Sequence, residues 1–423
     1  MHFAHTTSRN REYLFLAAIL AGGILLRAAV IIAMPVAPIS DELAYQSIAL
    51  NLIHGHGFVD AAGNRAFYNV GYSLLVLAPA FLISANSLLV ARFLNLLLGG
   101  ISILLCYATA QEAGLGRAGR LLAAAIWALD VSASVYTVYL AKENLMTPLM
   151  LGVIWCALRM MKSPSWKVVA GCGALFGVLA LVGNAALCLA SVVVVALYYA
   201  PVSTRRKIAA SVLIVLVAAA VTAPWLARNR AVLGAPVLNT NGGFNLYLGN
   251  NPAATGQFIS IAETPQGKNW RGMHKASEVQ SSETLKHDAI AWIESHPGRF
   301  LSLALHKAAY FWAPPLHEGK GHESKTAKFA RVVWTIQFIL IVAAAIASLL
   351  LRRLWNKPMA ILWIAVLSYT AVHMLFYVII RYRMPIMPVM GILAALTIEA
   401  IVPFRRLSVR RSAGGRADDR ERA

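Results

Sequence analysis

Charge is scarce in this chain. Of 423 residues only 13% are Asp, Glu, Lys or Arg, against 59% hydrophobic. Soluble domains carry roughly a quarter of charged residues, so this composition belongs to a protein built for lipid. Acids are scarcer still: 18 Asp and Glu face 38 Lys and Arg, a net charge of +20. No long basic run interleaves with aromatics, which excludes nucleic acid as the partner; basic residues retained on one side of a membrane explain the excess. Only four cysteines occur, all in apolar runs (Cys106, Cys156, Cys172, Cys188), without disulfide or ligand spacing. No His/Cys/Asp cluster has metal spacing; His54 and His56 merely flank Gly55. Neither a metal nor another cofactor is expected. Internal repeats and paired Gly/Pro-broken spans, the marks of many transporters, are missing too.

What the chain does have is long apolar runs. The first, "YLFLAAILAGGILLRAAVIIAM", is too long for a secretory leader and lacks a small-residue cleavage site; at about 33 Å it reads as an uncleaved span. Further runs lie at 87–110, 121–139, 145–161, 168–182, 185–199, 208–226, 329–351, 359–379 and 385–402. The expected fold is therefore an all-α polytopic bundle of about ten transmembrane helices. Short loops such as "QEAGLGRAGR", "RMMKSPSWK", "PVSTRRK" and "RRLWNK" are all basic, which sets them and both termini in the cytoplasm. The apolar stretch 71–84 would reverse that pattern if it crossed, so it is expected to lie at the interface or re-enter.

Two long segments then face outward. The organisation expected is a transmembrane catalytic module (1–226) carrying a first external loop (35–86), an external region (227–328), C-terminal spans (329–402) and a basic cytoplasmic tail (403–423). Asp41 and Glu42 stand just past the first span, at the start of an amphipathic helix with apolar Leu43, Ile48, Leu52 and Ile53. Two readings stay open: the acids cap that helix and complement its dipole, or they do chemistry. Other ionisable groups gather at the same depth: Arg27 inside the first span, Arg92, Lys142 and Glu143 in a turn, and Arg381, Tyr382 and Arg383 opening the last span. Charges in or against hydrocarbon usually face a cavity or a partner. Asp130, inside a run, is expected to pair with Arg27. A carboxylate able to take a proton, beside arginines able to hold phosphate, is what group transfer from a phosphorylated lipid requires.

These stretches resemble a family. "SDELAYQSIALNLIHGHGF" is similar to the first external loop of the GT-C membrane glycosyltransferases, in which Asp-Glu and a nearby Tyr (here Tyr45) precede Gly-x-Gly-Phe. "FYNVGYSLLVLAPAFL", "ARFLNLLLGG", "VYLAKENLM", "TNGGFNLYLGNNPAATG", "HPGRFLSLALHKAAYFW" and "RYRMPIMP" follow in the order seen in family 39-type enzymes: protein mannosyltransferases, aminoarabinosyltransferases and lipopolysaccharide-core galacturonosyltransferases. The chain departs at "VGNAALCL", where Arg-Pro is common, at Lys142, where Ser is common, and at Asp130, where Pro is usual. The resemblance implies a GT-C bundle that transfers one sugar, with inversion, from a polyprenyl-phosphate donor to a lipid or glycan acceptor. The chemistry would take place on the periplasmic face of the bacterial inner membrane. It implies Asp41 as general base, Glu42 and Glu143 as orienting acids, and Arg381 and Arg383, with Arg92 or Lys142, as phosphate holders. Arg27, Tyr45 and Tyr382 complete the expected substrate-binding set. A flippase for a lipid-linked saccharide and an O-antigen ligase or polymerase are the alternatives.

Overall fold

The computed structural model describes residues 2–84, 86–315 and 325–402; the expected basic tail, 403–423, lies outside them. Among the described residues the regular elements are helices, and the one extended pairing is an isolated bridge between Gln257 and Val378. Every apolar run read from the sequence contains helix. Among the described residues six helical stretches are long and apolar enough to cross a bilayer: Asn10–Ala33, Leu88–Glu112, Glu143–Lys162, Thr204–Leu233, Ala327–Leu350 and Ile380–Ile401. This is a multi-pass membrane protein. The remaining apolar runs form shorter helices, among them Trp166–Val182, Asn184–Tyr199 and Val70–Ile83.

The run 121–139 is not one helix. It breaks after Arg117–Ala128 and restarts at Val131–Tyr136, with Asp130 as the cap between them. The Asp130 carboxylate accepts from the Ala133 N–H at 2.8 Å and the Ser132 hydroxyl at 2.5 Å. Arg27 therefore does not pair with it. Its guanidinium donates instead to the carbonyls of Ala128 (2.8 Å) and Trp127 (3.2 Å), groups left open where the Arg117–Ala128 helix ends. Burial demands partners for both groups: Asp130 finds them two and three residues along its own chain, and Arg27 finds them on a neighbouring helix end.

Small residues let the helices pack. A Cβ at Gly173 would sit 2.7 Å from the Ile214 carbonyl oxygen, and one at Gly177 2.5 Å from Val221 Cβ. This spacing of four brings the Trp166–Val182 and Thr204–Leu233 helices together as small-xxx-small stripes do in lipid. The Glu143–Lys162 helix is the axis of the bundle and almost wholly buried. Its 20 residues span about 30 Å, the thickness of a hydrocarbon core. One end carries Glu143; at the other, Arg159 and Lys162 each meet Glu112 at 2.8 Å. Glu12 binds Arg117 (3.1 Å) and Arg120 (2.5 Å), and Arg117 opens the helix that begins in the same basic loop.

The two long non-spanning segments dock on each other. Glu278, at the start of the Glu278–Ser295 helix, accepts the N–H groups of Arg65 and Ala66 and the Thr240 hydroxyl. His274 bonds Asn64 at 2.7 Å. A Cβ at Gly243 would lie 1.8 Å from the Ser282 carbonyl oxygen, so the Gly242–Gly249 helix lies directly against Glu278–Ser295. In the first loop, Asp41–Ile53 is a helix that buries Ile48 completely, yet Leu43 is exposed. The stretch 71–84 forms Val70–Ile83, interrupted by a π turn at Ser73–Leu77.

Candidate active site

Asp41 and Glu42 open their helix, yet neither side chain hydrogen-bonds that helix's own N–H groups, and the N-cap, Ser40, makes no side-chain cap either. Both carboxylates point elsewhere. Asp41 forms an ion pair and hydrogen bond with Arg381. Glu42, buried, accepts the Leu140 N–H at 3.1 Å. Burial pushes the Glu42 carboxyl above its usual range, against the pull of the Leu140 N–H and of Arg381 and Arg92. Helix capping thus does not account for the pair.

Arg381 comes from the short Ile380–Ile386 turn before the last helix. Its Nε lies 3.7 Å from Glu143 Oε1, and neither atom has a hydrogen bond. One guanidinium therefore reaches a carboxylate of the first loop and a carboxylate at the head of the Glu143–Lys162 helix, where negative charge also suits the helix dipole. The turn that presents Glu143 is heavily braced. Arg92 donates to the carbonyls of Val138 (2.9 Å) and Val36. Asn95 reaches Thr137 and Tyr139, and Asn144 reaches Tyr136, Tyr139 and Ala141. Tyr45, one helical turn after Asp41, is buried edge-on against Tyr68 and Tyr72, and Tyr72 in turn donates to Asn95 at 2.9 Å.

Of the residues expected to bind substrate, Lys142 and Tyr382 border this cluster and Arg381 lies in it. Arg27 does not; it is spent on the carbonyls described above. Arg92, nearly buried, acts as a brace. Arg383 is also buried, donating to the Phe311 (3.2 Å) and Ala313 carbonyls with its Cζ 3.9 Å from the Phe338 ring centroid. Both arginines are engaged by protein groups, Arg383 through Nη1 alone, its Nη2 being buried without a hydrogen bond.

Beside Glu143 lies a cavity of about 140 Å³ whose wall includes Lys142, Asn69, Asn184, Asn239, Asn241 and Asn245. The sequence reading named none of these asparagines. "NVG", "VGN" and "NTNGGFN" look like turn punctuation, and only the fold shows that three separate stretches converge. Among the described residues no three His, Cys, Asp or Glu side chains are placed to share a metal ion. The site's chemistry rests on acids, a guanidinium, an ammonium and amides.

A family model described as dolichyl-phosphate-mannose-protein mannosyltransferase matches residues 73–227, from the π turn to the end of the apolar part of Thr204–Leu233. Among solved structures, the oligosaccharyltransferase AglB of Archaeoglobus fulgidus, in complex with an inhibitory peptide and a dolichol-phosphate, superposes with a TM-score of 0.54 at 13% identity. The match covers 91% of this chain and 50% of that one. This chain has the GT-C fold. The same archaeal protein tethered to an acceptor peptide gives 0.53 at 14% identity, over 91% and 49% of the two chains. ArnT of Cupriavidus metallidurans, in the apo state, gives 0.49 at 15% identity, over 94% and 61%. Against AglB this GT-C chain spans about half the length. No curated protein matches its sequence.

Proposed function

We propose that this protein is a glycosyltransferase that moves a single sugar from a polyprenyl-phosphate-linked donor to a cell-envelope acceptor. The acceptor is a lipid, a glycan or a protein, and the reaction inverts the anomeric centre on the periplasmic face of a bacterial inner membrane. The observation that carries this reading is the Arg381 bridge between Asp41 and Glu143. Support also comes from the mannosyltransferase family match and from the dolichol-phosphate held by AglB, a protein of the same fold.

Asp41 is the general base. While paired with Arg381 its carboxylate oxygen is occupied by the guanidinium. An arriving donor phosphate competes for that guanidinium and for Lys142, and so frees Asp41. The acceptor hydroxyl then gives its proton to Asp41 as its oxygen attacks the anomeric carbon from the face opposite the phosphate. The carbon–oxygen bond to phosphate breaks, and its electron pair leaves with the polyprenyl phosphate. Arg381 and Lys142 stabilise the charge that phosphate gains. Glu143 keeps Arg381 in place after Asp41 lets go. Glu42, held by the Leu140 N–H, sets the pitch of the helix that carries Asp41.

Mass spectrometry of envelope glycans and lipids from a deletion strain tests the reading. Loss of one sugar from one acceptor is expected. Accumulation of long lipid-linked saccharides instead would overturn it in favour of flipping or polymerisation.

A further inference from the structure

We infer that the asparagine-walled cavity beside Glu143 is the subsite for the donor's sugar, and that it is built for one uncharged ring. The inference rests on the transferase reading above and adds the class of sugar.

Size comes first. A dry cavity of about 150 Å³ encloses one benzene; this one, at about 140 Å³ and open on one side, is too small to enclose two sugar rings. The further rings of a longer saccharide would have to lie outside it.

Chemistry comes second. A sugar hydroxyl both donates and accepts, and a primary amide offers the same pair of capabilities. Five amides from three separate stretches of the chain share the wall. Those of Asn239 and Asn241 make no side-chain hydrogen bond with any described residue, so their full capacity is open. Asn69 gives one N–H to the Asn184 carbonyl oxygen at 3.0 Å, which leaves Asn69 Oδ1 and Asn184 Nδ2 for a ligand. His373, also in the wall, has Nδ1 2.8 Å from the Tyr369 carbonyl. A carbonyl only accepts, so the proton sits on Nδ1 and Nε2 is an acceptor. Tyr377 and Tyr382 add ring faces for the apolar side of a pyranose.

Charge comes third. The charged groups of the wall, Lys142 and Glu143, are adjacent in sequence, and Glu143 already faces Arg381. Lys142 is claimed by the phosphate. The ammonium of an amino sugar would have to compete with Arg381 for Glu143, and a uronic acid would find no free cation. Both would have to be desolvated among amides, at a cost a neutral ring avoids.

The test measures binding to the purified full chain in detergent. The probes are undecaprenyl phosphate alone and undecaprenyl phosphate linked to glucose, galactose, mannose, glucuronate or 4-amino-4-deoxyarabinose. At least one neutral hexosyl lipid is expected to bind tenfold or more tighter than the bare lipid phosphate, and the two charged ones no tighter than it. The variant Asn239→Ala/Asn241→Ala should lose most of that gain while binding bare undecaprenyl phosphate like wild type, which also reports that it is folded. A charged sugar preferred over all three neutral ones, or no sugar adding affinity, overturns the inference and leaves the transferase reading standing. So does a double variant that keeps the full gain, or one that loses affinity for bare phosphate and sugar lipid alike. No binding of bare undecaprenyl phosphate to wild type removes the transferase reading and this inference together.

Discussion

Replacing Asp41 with Asn separates chemistry from architecture, because the two roles predict effects of different size. Asn matches Asp in volume and can still accept a hydrogen bond from Arg381, but it cannot take the acceptor's proton. The ion pair it breaks is partly exposed: the Asp41 side chain keeps 31% of its accessibility and Arg381 keeps 25%. Pairs that wet contribute about 1 kcal/mol or less. The loss of a negative charge in the first turn of a helix adds about 0.3–1 kcal/mol. Arg381 is not stranded, since Glu143 remains 3.7 Å away. Melting in detergent should therefore fall by only a few degrees. A positioned general base contributes about 10²–10⁴-fold, so the rate of transfer from purified polyprenyl-phosphate sugar, at equal folded protein, should drop at least 100-fold. Binding of the bare lipid phosphate should hold or tighten, because Arg381 is released to it. Glu42→Gln is the matched control. Its amide oxygen can still accept the Leu140 N–H, so the loss should stay below about tenfold. Transfer by Asp41→Asn within threefold of wild type would refute the base assignment. A Glu42→Gln variant that is the more damaged of the two would move the role to Glu42.

Three more outcomes follow from the same geometry. Arg381→Lys should cost more than tenfold in transfer, since one ammonium cannot span Asp41 and Glu143 or grip two phosphate oxygens; Arg383→Lys, which loses carbonyl partners and the Phe338 stack, should lower the melting temperature while activity per folded molecule is kept. Reporter tags at residue 115 and at the C-terminus should read cytoplasm and a tag near residue 265 periplasm; a cytoplasmic signal at 265 would refute the sidedness. Lys307 is completely buried, with the Asn250 amide oxygen at 3.0 Å, and burial pulls its ammonium down to about 8. Because the folded chain gives up this proton at lower pH than the unfolded chain, the unfolded state binds more protons between about pH 8 and 10.5, and stability contributed by this site rises across that window. Lys307→Met should flatten the rise, by an amount on the order of 3 kcal/mol, in melting curves compared with wild type at each pH; parallel curves would show that Lys307 does not titrate there.

How much of this was legible beforehand depended on the range of the physics involved. Apolar runs are local signals, so the helices were readable, though not that 121–139 breaks at Asp130. An unaccompanied carboxylate looks like a long-range pairing problem, yet Ser132 and Ala133, two and three residues away, solve it. Arg27, read as a ligand for substrate, is found on the carbonyls of Trp127 and Ala128, a hundred residues away, a contact no local window shows. Asp41, Glu143 and Arg381 could be suspected because charge at a membrane's edge is costly anywhere, whatever the fold. Asparagines in turns carry no such alarm. That Asn69, Asn184 and Asn241 share one cavity depends on the docking of segments far apart in sequence, which no window along the chain contains.

The bracing of the 137–142 turn has a consequence for how the protein lives in membranes of changing thickness. Spans answer a thicker or thinner bilayer by tilting. Were the acids fixed only by the helices that bear them, each change of lipid would alter the gap between Asp41 and Glu143. Here Arg92 ties Val36 to Val138, and Glu42 ties its own helix to Leu140, so the loop bearing one acid is bolted to the turn bearing the other. Asn95 and Asn144 fasten that turn to the heads of two spans. Asp41 and Glu143 then keep their spacing while the spans lean. Temperature, growth phase and lipid composition can then vary without retuning the catalytic distances.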